Sequence, residues 1–385
     1  MKIGFNALFF QFPSTGTGQY MTHLLKALTE VDTANDYVLL GPRSTPNAGA
    51  MNIPYTVHPA PGFAQRNDNI EKVIWEQFTL PAAARKAGVD ILHVPYFAPP
   101  LLPRTPTVVT IHDAIQMRLP AYLPSRKVRT YMQLVSRAAH YATAIITVSQ
   151  HARQDIVDAL KLPPERVRVI YEAAGDEYQP VTDPALLAQA RARYGLGERY
   201  IFYLGGMDQR KNVPQLVRAF AHLSAQIGDP DLQLLISGNP DKQQGALFPD
   251  PRPVAADVSM AGQIIYRFVE EEDKPAIYSG ASLFVFPSLY EGFGLPPLEA
   301  MSCGAPVVCS NRTSLPEVVG DAALLVDPEN TRALVEAMRQ ALTDSSLQAE
   351  LRARSLQRAK QFSWQKTAQE TLAVYEEVLA RRKHW

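Results

Sequence analysis

Short apolar runs alternate with amphipathic segments along the whole of this 385-residue chain. Parallel strands are buried on both faces and read as continuous apolar runs, and each needs a crossover helix. The alternation therefore specifies an α/β fold built on parallel sheets. In the first half the runs place strands at Ile3–Ala7, Val38–Leu40, Ile91–Val94, Thr107–Ile111, Ala144–Val148 and Val167–Tyr171. In the second half they place strands at Tyr200–Leu204, Gln233–Ser237, Ile264–Phe268, Leu283–Phe286, Pro306–Val308 and Ala323–Val326. The stretch 172–183 has no periodicity and reads as a linker between two similar sets. At this length two domains fit better than one, and a cleft between them is the default place for a ligand. Leu216, Phe220, Leu223 and Ile227 fall at helical spacing, with Asn212 placed to cap the start and Gly228 the end. The terminal segment 364–379 is amphipathic through Thr367, Leu372, Tyr375 and Leu379.

The densest signal follows the run Leu283–Phe286. Tyr290-Glu291-Gly292-Phe293-Gly294-Leu295-Pro296-Pro297-Leu298-Glu299-Ala300-Met301 sets two glutamates eight positions apart around a glycine turn and a helix start. Proline suits the first helical turn, so the loop before it is expected to offer backbone N–H groups to an anion. Glu299 lies in an apolar run that continues to Val308. A buried glutamate needs a hydrogen-bonding partner, and a ligand hydroxyl is one. Glu291 lies at the mouth of a strand, where parallel sheets bind ligands.

The segment 288–308 resembles the Glu-x7-Glu signature of retaining, nucleotide-sugar-dependent glycosyltransferases of the GT-B fold, in family four (glycosyl transferases group 1). That resemblance implies two Rossmann-like domains facing across a cleft. Residues 1–175 would form the acceptor-side domain, 176–364 the nucleotide-sugar-binding domain, and a C-terminal helix over 365–385 would cross back to the first. It further implies that Glu291 faces the donor sugar and that Glu299 hydrogen-bonds the ribose. Leu204-Gly205-Gly206-Met207-Asp208-Gln209-Arg210-Lys211-Asn212 is a glycine turn after a strand with two adjacent cations. By resemblance Lys211 and Arg210 clamp the diphosphate there, beside Gly206. Phe293, Gly294 and Leu295 are expected at the donor as well, and the backbone of Val269 at its base. Many relatives carry arginine where this chain has Met207, so Arg210 is expected to supply the missing charge.

Two features of the first half join this set. In Ser14-Thr15-Gly16-Thr17-Gly18-Gln19-Tyr20 the third glycine of a dinucleotide fingerprint is missing, and the residues alone read as a tight turn. The resemblance brings Gly16 and Gly18 close to the donor phosphates or the acceptor. His112 ends a buried run, where relatives hold a histidine near the anomeric carbon, and Thr147-Val148-Ser149 resembles the family's cleft-lining serine. The expected catalytic set is Glu291, His112, Lys211 and Arg210. Retention of configuration suggests a carboxylate nucleophile, for which Glu291 is the obvious candidate. The resemblance favours same-face displacement instead, with the departing phosphate oxygen taking the acceptor proton and Glu291 positioning the sugar.

Lys+Arg and Asp+Glu both count 38, so no net field points to nucleic acid. The two cysteines, Cys303 and Cys309, indicate a reduced, cytoplasmic setting rather than a disulfide scaffold. The start lacks a signal-peptide pattern, and no apolar run approaches the roughly 20 residues of a membrane span. Asp229-Pro230-Asp231 has the letters of a metal-binding Asp-x-Asp motif but reads as a turn, and no cysteine–histidine spacing suits zinc. Neither a metal nor another cofactor is expected. The basic stretch 125–141 reads as a surface helix with Met132, Leu134 and Val135 turned inward. Its Arg126, Lys127 and Arg129 are available to an anionic membrane as a peripheral contact. The expected reaction moves a hexose from a GDP-mannose or UDP-glucose type of donor to a saccharide or lipid-linked hydroxyl, in polysaccharide or glycolipid biosynthesis. Two other readings stand beside it, a non-catalytic nucleotide-sugar-binding paralogue and a dinucleotide-dependent oxidoreductase.

Overall fold

The computed structural model describes residues 1–13, 15–45, 51–238, 240–241, 245–260 and 262–382. Ser14 of the glycine loop and residues 383–385 of the C-terminal segment lie outside them. The chain forms two compact units, one of Met1–Glu172 with Trp364–Trp385, the other of Ala173–Ser363.

In the first unit the strands are β1 (Lys2–Asn6), β2 (Asp36–Gly41), β3 (Tyr55–Val57), β4 (Ile91–Val94), β5 (Thr107–Thr110), β6 (Ala144–Thr147) and β7 (Val167–Val169). They pair in the order β3-β2-β1-β4-β5-β6-β7, all parallel. The second unit holds β8 (Tyr200–Leu204), β9 (Gln233–Ser237), β10 (Ile264–Tyr266), β11 (Leu283–Phe286), β12 (Val307–Ser310) and β13 (Ala323–Val326). Their order is β10-β9-β8-β11-β12-β13, again parallel. Both are Rossmann-like sheets, wound outward from a reversal point between β1 and β4 in one and between β8 and β11 in the other. The apolar runs that marked these strands are buried on both faces, as Phe202, Leu235, Phe284 and Val308 show.

One strand was missed in the sequence, and other readings need correction. The short edge strand β3 carried no apolar run, since Tyr55 and Thr56 are half-buried and Val57 is exposed. The run at Ile264–Phe268 stops pairing at Tyr266, and Phe268 is 56% exposed. Asn212 stands at the start of the helix Val213–Ile227, but its φ of 59° turns the side chain away from the helix N–H groups. Its amide donates instead to the Pro328 carbonyl (2.9 Å). Gly228 ends that helix in the left-handed conformation the reading required.

The helix Trp364–Arg382 packs within the first unit. Its buried face is Thr367, Ala368, Thr371, Val374, Tyr375 and Val378, while Leu372 and Leu379 are half-buried at its edge. Trp364 stacks on His23 with ring centroids 5.2 Å apart, and the Tyr375 hydroxyl lies 2.6 Å from Nδ1 of His93.

Candidate active site

The reversal point of the second sheet sets the loop after β8 beside the loop after β11, because those strands pair directly. At their carboxyl ends the chain brings Arg210, Lys211, Ser288 and Glu291 together. Lys211 donates through Nζ to Oε1 of Glu291 (2.6 Å), and Ser288 through Oγ to the same oxygen (2.6 Å). Arg210 donates through Nη1 to Oε2 (2.9 Å) and to the Tyr290 carbonyl (3.0 Å). Its Nε lies 3.1 Å from Asp208. Glu291 is 8% exposed and Lys211 8%. Burial alone raises a carboxyl pKa, but Lys211 and Arg210 overcome it and hold Glu291 down at about 2. Burial pulls the Lys211 ammonium below its ordinary value against the pull of Glu291, and its Nζ also sits 4.9 Å over the Phe286 ring.

The turn that presents Glu291 is held from elsewhere in the chain. Its backbone N–H donates to Oγ1 of Thr313 (3.1 Å), a β-branched residue with a φ of 56°. Such a conformation costs about 1–3 kcal/mol and tends to collect at functional sites. Within the loop expected to offer N–H groups to an anion, that of Glu291 is taken by the Thr313 hydroxyl. Gly294 has a φ of 134°, and a Cβ there would come 2.9 Å from Leu315, so only glycine suits the turn. The helix Leu295–Ser302 follows, with proline in its first turn as the sequence indicated. The Phe293 ring meets Phe362 edge-on at 6.0 Å, and its carbonyl accepts from Ser314.

Glu299 is 5% exposed on that helix and accepts from the Tyr278 hydroxyl (2.8 Å). Burial lifts its pKa to about 7, with Lys274 and Tyr278 opposing. The two glutamates of the signature thus occupy opposite electrostatic settings within one loop and helix. The partner inferred for buried Glu299 is supplied in part by Tyr278, which the sequence reading did not single out. Val269 is buried, and its N–H donates to Oγ of Ser237 (3.1 Å). The Gly206 carbonyl accepts from Tyr203 (2.9 Å), and Met207 is buried against Gly238. Asp229 forms an ion pair with Arg199 and accepts from the Asp231 N–H (3.0 Å), which makes that segment a braced turn.

The remaining candidates belong to the first unit. His112 follows β5, and both ring nitrogens face acceptors, Nδ1 the Glu172 carboxylate (3.0 Å) and Nε2 the Pro95 carbonyl (3.1 Å). A ring with an acceptor at each nitrogen is satisfied only when both carry protons. Burial opposes the charge, yet Glu172 outweighs it and the pKa is raised. Tyr20 packs edge-on against this ring at 4.7 Å. Gly18 in the helix Gly16–Val31 is required for packing, because a Cβ would lie 2.2 Å from the Phe12 carbonyl oxygen. Around Gly16 there is open space. Ser149 caps the helix Gln150–Leu160 by accepting from Ala152 N–H (3.0 Å). In the helix Arg126–Ala139 Met132 and Val135 are buried, Leu134 is half-buried, and Arg126, Lys127 and Arg129 are exposed.

Ser288, Thr313, Asp208 and Tyr278 in the second unit, and Glu172 beside His112 in the first, were not foreseen as partners of the candidate residues. Ser288 and Asp208 carried a local signal, Ser288 three residues before Glu291 and Asp208 two before Arg210.

Residues 189–362 match the family model described as Glycosyl transferases group 1, and residues 14–174 the model described as Glycosyltransferase Family 4. The chain is 33% identical over 390 residues to the O-antigen chain mannosyltransferase B of Escherichia coli, an alignment covering 97% of this chain and 99% of that one. It is 34% identical over 266 residues to the serotype-specific mannosyltransferase WbdA of Escherichia coli, covering 68% of this chain and 32% of that longer protein. Among solved structures, HepE of Anabaena in complex with UDP-glucose is similar with a TM-score of 0.77 at 18% identity, covering 98% of this chain and 100% of that one. Sucrose-phosphate synthase from Thermosynechococcus elongatus gives a TM-score of 0.76 at 21% identity, covering 99% and 100%. At those identities the structural likeness bears on the fold.

Proposed function

The chain belongs to the group 1, family 4 glycosyltransferases, enzymes that use nucleotide sugars in glycan biosynthesis, and we propose that it transfers mannose from GDP-mannose to a glycan hydroxyl with retention and without a metal. The observation that carries this reading is the Glu291 carboxylate gripped by Lys211, Arg210 and Ser288 at the reversal point of the second sheet. The choice of mannose is supported by the full-length likeness to an O-antigen mannosyltransferase.

When the bond from the anomeric carbon to the diphosphate breaks, negative charge gathers on the departing oxygens. Lys211 and Arg210 stabilise it from fixed positions, which is where such sites gain most of their rate. Glu291 remains ionised at every ordinary pH and balances the positive charge growing on the sugar ring. Its grip by two cations and a hydroxyl makes it a poor nucleophile, so it positions and stabilises rather than bonding to carbon. The acceptor oxygen bonds the anomeric carbon, and its proton passes to the departing phosphate oxygen on the same face. Glu299 binds the ribose through the carboxylate edge not held by Tyr278. His112, with both nitrogens committed, serves as a fixed cation rather than a proton shuttle. Because side-chain cations answer the diphosphate charge, turnover is expected to persist in excess chelator.

Among the described residues no helix is long and apolar enough to cross a membrane. The buried free thiols of Cys303 and Cys309 suit a cytoplasmic setting. A panel of GDP-mannose, UDP-glucose and ADP-glucose, read by melting temperature and by transfer to a mannosyl acceptor, tests the donor. GDP-mannose should raise the melting temperature most and alone support transfer. Preference for another donor, or binding without transfer, would overturn the mannosyl reading.

A further inference from the structure

The first unit carries a cavity that the reaction scheme leaves unused. It holds about 300 Å³ at the carboxyl ends of β1 and β2, closed on one side by the helix Asp68–Ile74. That is near the low end of ordinary ligand pockets. Part of the lining is apolar and aromatic, with Phe9, Phe12 and the buried Trp75. Phe12 is 52% exposed and meets Phe9 edge-on at 6.1 Å, and Phe9 packs 4.7 Å from Tyr96. The rest of the lining is polar, with Arg43, Asp68, Asn69, Glu71 and Lys72.

The charges in that lining are already matched. Arg43 is paired with Glu71 and lies 3.6 Å from Asp68. Lys72 lies 3.8 Å from the buried Glu76 and over the Tyr131 ring at 5.1 Å. An anionic ligand would therefore compete with a carboxylate for either cation. A neutral ligand that is apolar on one face and rimmed with hydroxyls suits such a mixed lining, and a hexose ring has that character. Gln11 lines the same cavity, and its side-chain nitrogen is buried with no hydrogen-bond partner among the described residues. A hydroxyl brought to that lining relieves a costly unpaired amide.

We propose that this cavity is a saccharide subsite that holds one sugar ring of the glycan acceptor, stacked on Phe12 and hydrogen-bonded by Asp68, Asn69 and Gln11. The assignment deepens the glycan-acceptor reading above and rests on it.

Saturation-transfer NMR with α-mannotriose and no donor tests it directly. The trisaccharide should receive saturation from the wild-type protein, and its Kd should rise about tenfold in Phe12→Ala and in Asn69→Ala. Phe12→Tyr keeps an aromatic face and should bind as the wild type does. Both positions are exposed, so the variants should melt close to the wild type. Absence of saturation transfer to the wild type, an unchanged Kd in both alanine variants, or binding of guanosine in place of the trisaccharide would overturn the subsite. Transfer from GDP-mannose is read separately. Mannosyl transfer whose acceptor KM ignores Phe12 removes the subsite alone, whereas Phe12-dependent binding without mannosyl transfer removes only the donor reading.

Discussion

Glu291 and Glu299 share a loop and helix, yet their burial has opposite consequences. Glu291 is held at about 2 by two cations, and Glu299 is lifted to about 7 by burial that Lys274 and Tyr278 only partly offset. For Glu291, whose folded pKa lies below the ordinary 4.5, the stabilisation is present above 4.5 and is lost as pH falls toward 2. For Glu299 the sign reverses, so stability is greatest below 4.5 and declines as pH rises through 7. Glu299→Gln should therefore flatten the fall in urea stability between about pH 5 and 8 by roughly 2.5 kcal/mol. Glu76 in the first unit has a pKa raised in the same direction, to about 7, so a residual slope should remain. A slope identical in wild type and variant would show that Glu299 does not titrate in that window. Lys211→Met should leave Glu291 with one cation instead of two and cost about 3 kcal/mol, because one partner of a buried pair then loses its match.

At the scale of the element, the strand β11, its turn and the following helix form one device. Gly294→Ala forces a side chain into a φ of 134° and against Leu315, and should destabilise the second unit by about 1–3 kcal/mol in chemical unfolding. An unchanged midpoint would mean that the turn relaxes freely. Most strands were legible because buried parallel strands leave continuous apolar runs, as at Ile91–Val94, Tyr200–Leu204 and Leu283–Phe286. The half-exposed β3 left none. The glutamates and adjacent cations were legible as unusual residues in unusual company. Their partners were not, because Thr313 reaches Glu291 from 22 positions away and Tyr278 reaches Glu299 from 21. Hydroxyl residues at such distances carry no local pattern. The capping role read for Asn212 failed for a related reason, since its left-handed φ accompanies a side-chain hydrogen bond to the Pro328 carbonyl, 116 positions away.

At the scale of the molecule, the last helix ties the end of the chain to the unit that contains its beginning. Tyr375 joins it to the interior through His93, whose other nitrogen lies 2.9 Å from Thr110, and Thr110 lies 3.1 Å from the Tyr20 hydroxyl. Burial keeps the His93 ring neutral, with its pKa down at about 3. Tyr375→Phe leaves one ring nitrogen without its partner and should cost about 1–3 kcal/mol. Hydrogen exchange should place that loss in β4 and β5, with the amides of the second unit protected as before. Loss of protection spread evenly over both units would contradict it. The most direct test of the function is the turnover of Glu291→Gln with GDP-mannose and a mannosyl acceptor, alongside the anomeric configuration of the wild-type product by NMR. The expected result is an α-linked product from the wild type and a rate about 100-fold lower in the variant. Near-normal turnover in Glu291→Gln, or an inverted product from the wild type, would contradict the central role given to this carboxylate.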